Sequence, residues 1–520
     1  MKLIVALIVI LAFLLRWLGH DVSPPGFTAD EAVFGYNAYS LLKYGTDQFG
    51  AKFPVALRAF GDYRPALYSY LATPFIKFFG LTEIATRLPA ILAGIMTVLV
   101  VYFLAKELLH PRGVVLLAAM LVAVSPAHIL ISRYADMSPL STLFLGLGVW
   151  LWFRQPMLAS ISFVLAAYSY HNARLTGPLL LLGLMLLYWH QFKSRLRQFI
   201  IAAGLGLILL LPLILFLIRS PELALRRGFY ESFLSQKSYL PRVTTDVSTD
   251  PADQSPLITR FLHNKPKVIL TQWAENYLSH FSPNFLFLTG DTHERFQTPG
   301  SGVYNLSLAL LLPIGLVAAL RRPSLRILPA WFFISPLTAS LGLFTPNSLH
   351  TLDSVIPVSI LGSLGWFNLG KKLRLVTVMI FIYSVYRFGW GYFITMPQNP
   401  ELRWNWFPRA GDYVNLTRFV PAMEPITIIG SHNFPQFYLF YNRIDPQEFQ
   451  RQVKVNPIPD TNGFEQIDRL ERFKFNSASI SGWMIFDRDS FPSALGRCIR
   501  QRVDDLYYLV YVDNNCLNLH

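Results

Sequence analysis

The chain has 520 residues, of which 53% are hydrophobic and only 15% charged, and its mean hydropathy is +0.38. A water-soluble globular protein of this length is less apolar, so the composition excludes that class and indicates a polytopic membrane protein. The net charge of +14 sits between long apolar runs, which fits Lys and Arg gathered in cytoplasmic loops and gives no sign of a nucleic-acid partner.

Taken in order, the first apolar run carries Lys2 and ends at Arg16-Trp17 with no A-x-A cleavage site. It reads as an uncleaved first membrane helix with its Lys2 end inside. A helix needs about 20 apolar residues to cross a bilayer. By that measure the spans are 3–18, 84–105, 113–131, 138–153, 157–171, 177–190, 198–218, 303–320, 327–344, 350–369 and 373–394, about eleven in all. The apolar segment 66–80 is interrupted by Pro74 and Lys77 and reads as a lead-in to the second span.

The charges fit that count. Lys106 and Arg112, Arg154, Lys193 with Arg195 and Arg197, Arg321 with Arg322 and Arg326, and Lys371 with Lys372 and Arg374 fall in loops on one side. Short turns on the other side hold Arg133 and Arg174. This asymmetry puts the basic loops inside, in a plasma (inner) membrane, and leaves 19–83, 219–302 and 395–520 outside. The predicted organisation is therefore a transmembrane region, 1–395, and a soluble extracytoplasmic domain, 396–520. In the 219–302 loop, short helices are expected near Leu223–Phe233 and Pro266–Ser279, joined by a mobile segment. The tail reads as a small α/β domain, with strands at 426–432, 479–487 and 506–513 and a helix at 435–443. Cys498 and Cys516 can pair if the tail lies outside.

The chemistry-bearing residues gather in the first loop. Asp30-Glu31 follow a Pro-Pro-Gly turn and open a helical segment, where carboxylates also favour the helix dipole. Acidic groups at the membrane edge are functional candidates. Asp62-Tyr63-Arg64-Pro65 follows; Arg64 suits a bidentate grip on phosphate, or else snorkels at the interface beside Asp62. Arg133 and Arg174 stand at outer helix ends, beside Tyr134 and Tyr170-His171; an external anion or, for Arg133, an ion pair with Asp136 accounts for them. His171 reads as a proton carrier or a hydrogen-bonded helix end. The stretch 289–302 holds His293 among Asp291, Glu294 and Arg295 without metal-ligand spacing, and the turn 346–357 holds His350 and Asp353. No nucleotide loop, zinc motif or nucleophile elbow is present.

Three pieces together, FTADEAVFGYNAYSLLKYGTDQFG (27–50), GDYRPALYSYLATPFIKFFGL (61–81) and ATRLPAILAG (85–94), resemble the GT-C class of glycosyltransferases. The likeness is nearest to the superfamily of protein O-mannosyltransferases and lipid A aminoarabinose transferases. It covers roughly 1–395, with looser matches at 170–178, 277–291 and 346–357. The resemblance implies an enzyme that moves a sugar from a polyprenyl-phosphate carrier to a lipid, protein or glycan acceptor at the outer membrane face. It implies Asp30 as base and Arg64 as the carrier-phosphate contact, with Glu31 as an orienting neighbour. Asp62, Arg133, Tyr170, His171, Arg174, His293 and His350 are further candidates for substrate binding. The family usually has Lys-Pro where this chain has Arg64-Pro65, and bacterial members often have Arg where His350 stands. No cofactor is identified, and a divalent cation is left open.

The residues support the same chemistry without the resemblance. A departing phosphate needs a cation to stabilise it, and an attacking hydroxyl or amine needs a base. A proton acceptor and a guanidinium are therefore expected to meet. The alternative, a lipid-linked glycan transporter or flippase, predicts charges within spans and related halves; the spans are nearly uncharged and no repeat appears.

Overall fold

The computed structural model describes residues 2–59, 62–221, 232–234, 236–248, 264–408, 410–430, 433–456, 465, 467–475, 481–503 and 506–513. It divides into two compact units. One is Met1–His20 with Pro89–Pro397, and the other is Asp21–Leu88 with Gln398–His520.

The helices of the first half are α1 (Lys2–Trp17), α2 (Ala29–Tyr44), α3 (Leu67–Phe79), α4 (Glu83–Leu108), α5 (Arg112–Ala123), α6 (Pro126–Ile131), α7 (Ser138–Trp152), α8 (Pro156–Ser169), α9 (Ala173–Leu187), α10 (Trp189–Ser194) and α11 (Leu196–Arg219). They are followed by α12 (Gln236–Ser248), α13 (Lys265–Ser279), α14 (Leu308–Leu320), α15 (Ile327–Ala339), α16 (Val355–Phe367) and α17 (Lys371–Trp390). Every apolar run read from the sequence contains a helix. Among the described residues three segments, Glu83–Leu108, Leu196–Arg219 and Lys371–Gln398, are long and apolar enough to cross a membrane by length and composition. Only 17% of the apolar window of Leu196–Arg219 is buried. Bare apolar surface of that extent needs lipid to cover it.

The larger unit is a helical bundle in which α7 packs on α8, α11 on α8, α15 on α9, and α16 on both α5 and α14. The α14–α16 contact depends on glycine from both sides. A Cβ at Gly315 would collide with the Leu361 carbonyl, and one at Gly365 with the Leu311 carbonyl. Small residues let apolar helices approach to backbone contact, where dispersion and weak dipolar contacts replace the absent hydrophobic drive.

Two expectations change. Segment 66–80 is a separate helix, because Gly80, at φ +74°, ends α3 before α4 starts at Glu83. The segment expected to be mobile contains α12, which Arg242 ties to Glu275 of α13 at 3.1 Å. That pairing is tertiary and leaves no local periodicity. The helix expected over 223–233 falls on residues outside the described ones, except for its last two. The one expected over 266–279 is α13.

The smaller unit joins the first loop to the tail. The loop adds an antiparallel hairpin, β1 (Ala56–Ala59) and β2 (Asp62–Pro65), with Leu57 opposite Arg64. The tail forms a seven-stranded sheet from β3 (Ile426–Ile429), β4 (Lys454–Val455), β5 (Ile467–Leu470), β6 (Phe473–Phe475), β7 (Gly482–Asp487), β8 (Ile499–Val503) and β9 (Tyr507–Val512). Its order is β4-β5-β6-β3-β7-β9-β8, with β3 parallel to β6 and β7 and the other neighbours antiparallel. Helix α18 (Phe434–Tyr441) follows β3. Phe27, Val33 and Tyr36 of the loop share one apolar core with Ile426, Phe440, Phe473 and Leu509 of the tail. Compactness therefore groups residues 21–88 with the tail, whereas the sequence places a boundary near 395. Cys498 is disulfide-bonded, and Cys516 lies outside the described residues.

Candidate functional site

Helix α2 begins with a reciprocal cap. The Thr28 hydroxyl accepts the Glu31 backbone N–H at 3.2 Å, and the Glu31 carboxylate accepts the Thr28 N–H at 3.0 Å. Two of the helix's first N–H donors are thereby satisfied, and the acidic first turn sits at the positive end of the dipole. The T-x-x-E pattern at Thr28–Glu31 was legible in the sequence; its consequence is that Asp30 is held at a fixed angle beside Glu31.

Glu31 is fully buried, and Arg87 grips it with both arms. Arg87 Nε donates to Oε1 at 2.7 Å and Nη2 to Oε2 at 3.1 Å. The same Nη2 also donates to the Gly26 carbonyl at 2.6 Å, and the guanidinium lies 5.4 Å from the Phe27 ring. A charge removed from water survives only when it is paired and hydrogen-bonded, and both conditions are met. Arg87 was missed as a site residue. Its signal was present: an Arg at the end of an apolar span, the anomaly that marked Arg133 and Arg174.

Asp30 meets Arg64. Arg64 Nη2 lies 2.7 Å from Asp30 Oδ1, and the guanidinium lies 5.7 Å from the ring of Phe34, one turn along α2. Arg64 comes from β2, so the hairpin delivers it. Buried Asp47 fixes the approach by accepting the backbone N–H groups of Phe49, Ala51 and Arg58. The Asp30 side chain is 32% exposed, whereas that of Glu31 is sealed. The side chain of Asp62 lies outside the described residues.

The other predicted residues belong to the unit that contains Pro89–Pro397. Arg133 donates to the Leu15 and Leu18 carbonyls at 2.7 and 2.8 Å, capping the end of α1. Asp136 accepts the Ser138 N–H at 2.8 Å. Arg174 donates to the Ala167 carbonyl at 3.3 Å, and half-buried His171 lies beside Tyr170. Tyr170 and His350 do come together, with the phenol 3.4 Å from His350 Nδ1. Asn172, which sequence reasoning passed over, is closer at 3.0 Å, and the three line one small polar cavity with Ser138 and Asp353. His293 donates its backbone N–H to Asp291 at 2.8 Å, and burial followed by the nearby Arg295 charge holds its imidazole down near 4. Asp291 also accepts Ser348 N and Oγ at 2.6 and 2.7 Å; its burial pushes the carboxyl above the usual range. These residues tie the 280–302 loop to the turn that bears His350. Among the described residues no group of three His, Cys, Asp or Glu gathers to hold a metal.

Residues 6–219 match the family model of the dolichyl-phosphate-mannose-protein mannosyltransferases. The fold is similar to that of ArnT from Cupriavidus metallidurans bound to undecaprenyl phosphate. That likeness has a TM-score of 0.57 at 12% identity and covers 98% of this chain and 97% of the other. At that identity the likeness is one of fold. The apo form of that ArnT is similar as well, at TM-score 0.53 and 12% identity over 98% and 97% of the two chains. The oligosaccharyltransferase of Archaeoglobus fulgidus, in complex with Zn and sulfate, aligns at TM-score 0.51 and 12% identity over 84% of this chain and 61% of its own. No curated protein sequence matches the chain.

Proposed function

We propose that this chain is a GT-C type integral membrane glycosyltransferase that moves a sugar from a polyprenyl-phosphate carrier to a hydroxyl or amine acceptor. The reaction takes place at the extracytoplasmic face of a plasma membrane. The positive-inside reading of about eleven spans supports that location for the first loop and the tail. The observation that carries the reading is the difference between two adjacent carboxylates. Glu31 is sealed and doubly occupied, while Asp30 is reachable and touches the Arg64 guanidinium that the hairpin presents.

Arg64 holds the carrier phosphate and stabilises its charge as the glycosidic bond breaks. Asp30, which pairs with Arg64 before the phosphate takes that place, removes the acceptor's proton. The acceptor attacks opposite the departing phosphate, so the anomeric centre inverts. Glu31 touches no substrate; with Arg87 and Thr28 it sets the first turn of α2. Tyr170, Asn172 and His350 form a second candidate contact set, and Arg133, His171, Arg174 and His293 remain candidates of lower rank; Arg133 Nη1 and Nη2 and Arg174 Nε already donate to carbonyls. The bound undecaprenyl phosphate of the ArnT structure and the match to a dolichyl-phosphate-mannose family support the donor class. The sugar and acceptor are open to assay.

The test uses the purified chain in bilayer discs with a panel of polyprenyl-phosphate sugars. Asp30→Asn is expected to lower transfer about 100- to 10,000-fold, the range for a lost general base, with unchanged thermal unfolding. Wild-type rates in Asp30→Asn would remove the role.

A further inference from the structure

The tail reaches the Asp30 site at three places, all within the smaller unit. The Phe407 carbonyl lies against Gly26, where even a Cβ would collide with it. Gly26 is also the residue whose own carbonyl accepts Arg87. Phe440 of α18 packs on Phe27 with centroids 4.8 Å apart and fills the space beside Gly35, where a Cβ would stand 2.6 Å from its ring. Beside Phe440, the Tyr441 hydroxyl donates to Glu83 Oε1 at 2.6 Å. Burial and the Glu83 charge push this phenol upward, so it keeps its proton and remains a donor.

Glu83 opens α4 and stands one helical turn before Arg87. Residues four apart on a helix are neighbours, so Glu83 is a natural competitor of Glu31 for the Arg87 guanidinium. The Tyr441 hydroxyl occupies Glu83 and leaves Arg87 to Glu31 and Gly26. We propose that Tyr441 of the C-terminal domain is a positioning residue for the Asp30 site, acting through Glu83 to keep Arg87 on Glu31. The soluble tail is thereby part of the device that sets the first turn of α2, and the site is incomplete without it. This rests on the glycosyltransferase reading for its kinetic consequence but not for its structural one.

The test compares full-length wild type, Tyr441→Phe and Tyr441→Phe/Glu83→Gln in bilayer discs. Tyr441→Phe deletes only the hydroxyl and frees the Glu83 carboxylate. Transfer is expected to fall about tenfold in kcat, and the acidic limb of the pH–rate profile to move upward, because a released Glu31 adds negative charge beside Asp30. Adding Glu83→Gln removes the competing charge and is expected to recover most of the rate. A merely structural role for Tyr441 predicts the reverse, a second loss on top of the first. Amide hydrogen exchange over residues 28–34 is read in parallel, expected faster in Tyr441→Phe and restored in the double variant. Unchanged exchange and rate in Tyr441→Phe, or an additive loss in the double variant, would overturn the proposal while leaving the function standing. Should wild type transfer no sugar, the function fails and the exchange comparison alone decides the positioning role.

Discussion

Asp30 and Glu31 are adjacent carboxylates with opposite surroundings, and their variants should separate accordingly. Arg87→Leu would strand Glu31 as an unpaired buried charge, a loss of about 3–5 kcal/mol in unfolding free energy, measured by denaturant titration. Asp30→Asn, at a partly exposed pair, should change stability by at most about 1 kcal/mol in the same measurement while removing transfer. Thr28→Ala should cost about 1 kcal/mol through the lost cap. Asp30 and Arg64, which the structure pairs at 2.7 Å, could be picked out because they rest on residue type and on a dense local stretch. Arg87 carried a signal in its place at the end of an apolar span, but its partner Glu31 lies 56 positions away and nothing local marks that reach. Arg133 is a related case. A cation against the topological trend suggested an external anion, and the helix carbonyls of Leu15 and Leu18 supply the negative end instead.

At the scale of elements, the loop after α13 is locked by a histidine that must stay neutral. His280 Nδ1 lies 2.8 Å from the Asn276 carbonyl and so donates, which leaves Nε2 to accept the Asn347 N–H at 3.2 Å. A second proton would abolish that acceptor. Burial lowers the imidazole from 6.5 to about 4. The unfolded chain therefore binds more protons between those values, and stability is full above pH 6.5 and declines as pH falls towards 4. Unfolding free energy should drop by about 2–3 kcal/mol between pH 7.5 and 4.5, with a shallower slope in His280→Gln. His293, also held near 4, adds in the same direction. The bundle helices were easy to read at this scale because each lies in a long apolar run; polar α12 was not. In the tail, β3, β7 and β9 were visible as apolar runs with buried faces. Strands β5, β6 and β8 alternate with exposed Arg and Lys, and β4 has two residues, too little pattern to detect. The hairpin that presents Arg64 was missed because Pro65 suggested a helix start.

For the whole molecule, the shared core of loop and tail makes a firm demand. Removing residues 398–520 should expose Phe27, Val33 and Tyr36 and leave residues 21–88 open to limited proteolysis, with α4 to α17 still protected. A protected loop in the truncated chain would mean that it folds alone. The same arrangement governs biogenesis. Residues 21–88 are synthesised early, yet the surfaces that complete them leave the ribosome about 300 residues later. At roughly 5–20 residues per second, an oily half-formed lobe waits some 15–60 seconds for its other half. With the proposed orientation, a nascent polypeptide of this design needs a shelter on the far side of the translocation machinery, and a stall before α18 would leave an inserted bundle without the proposed centre.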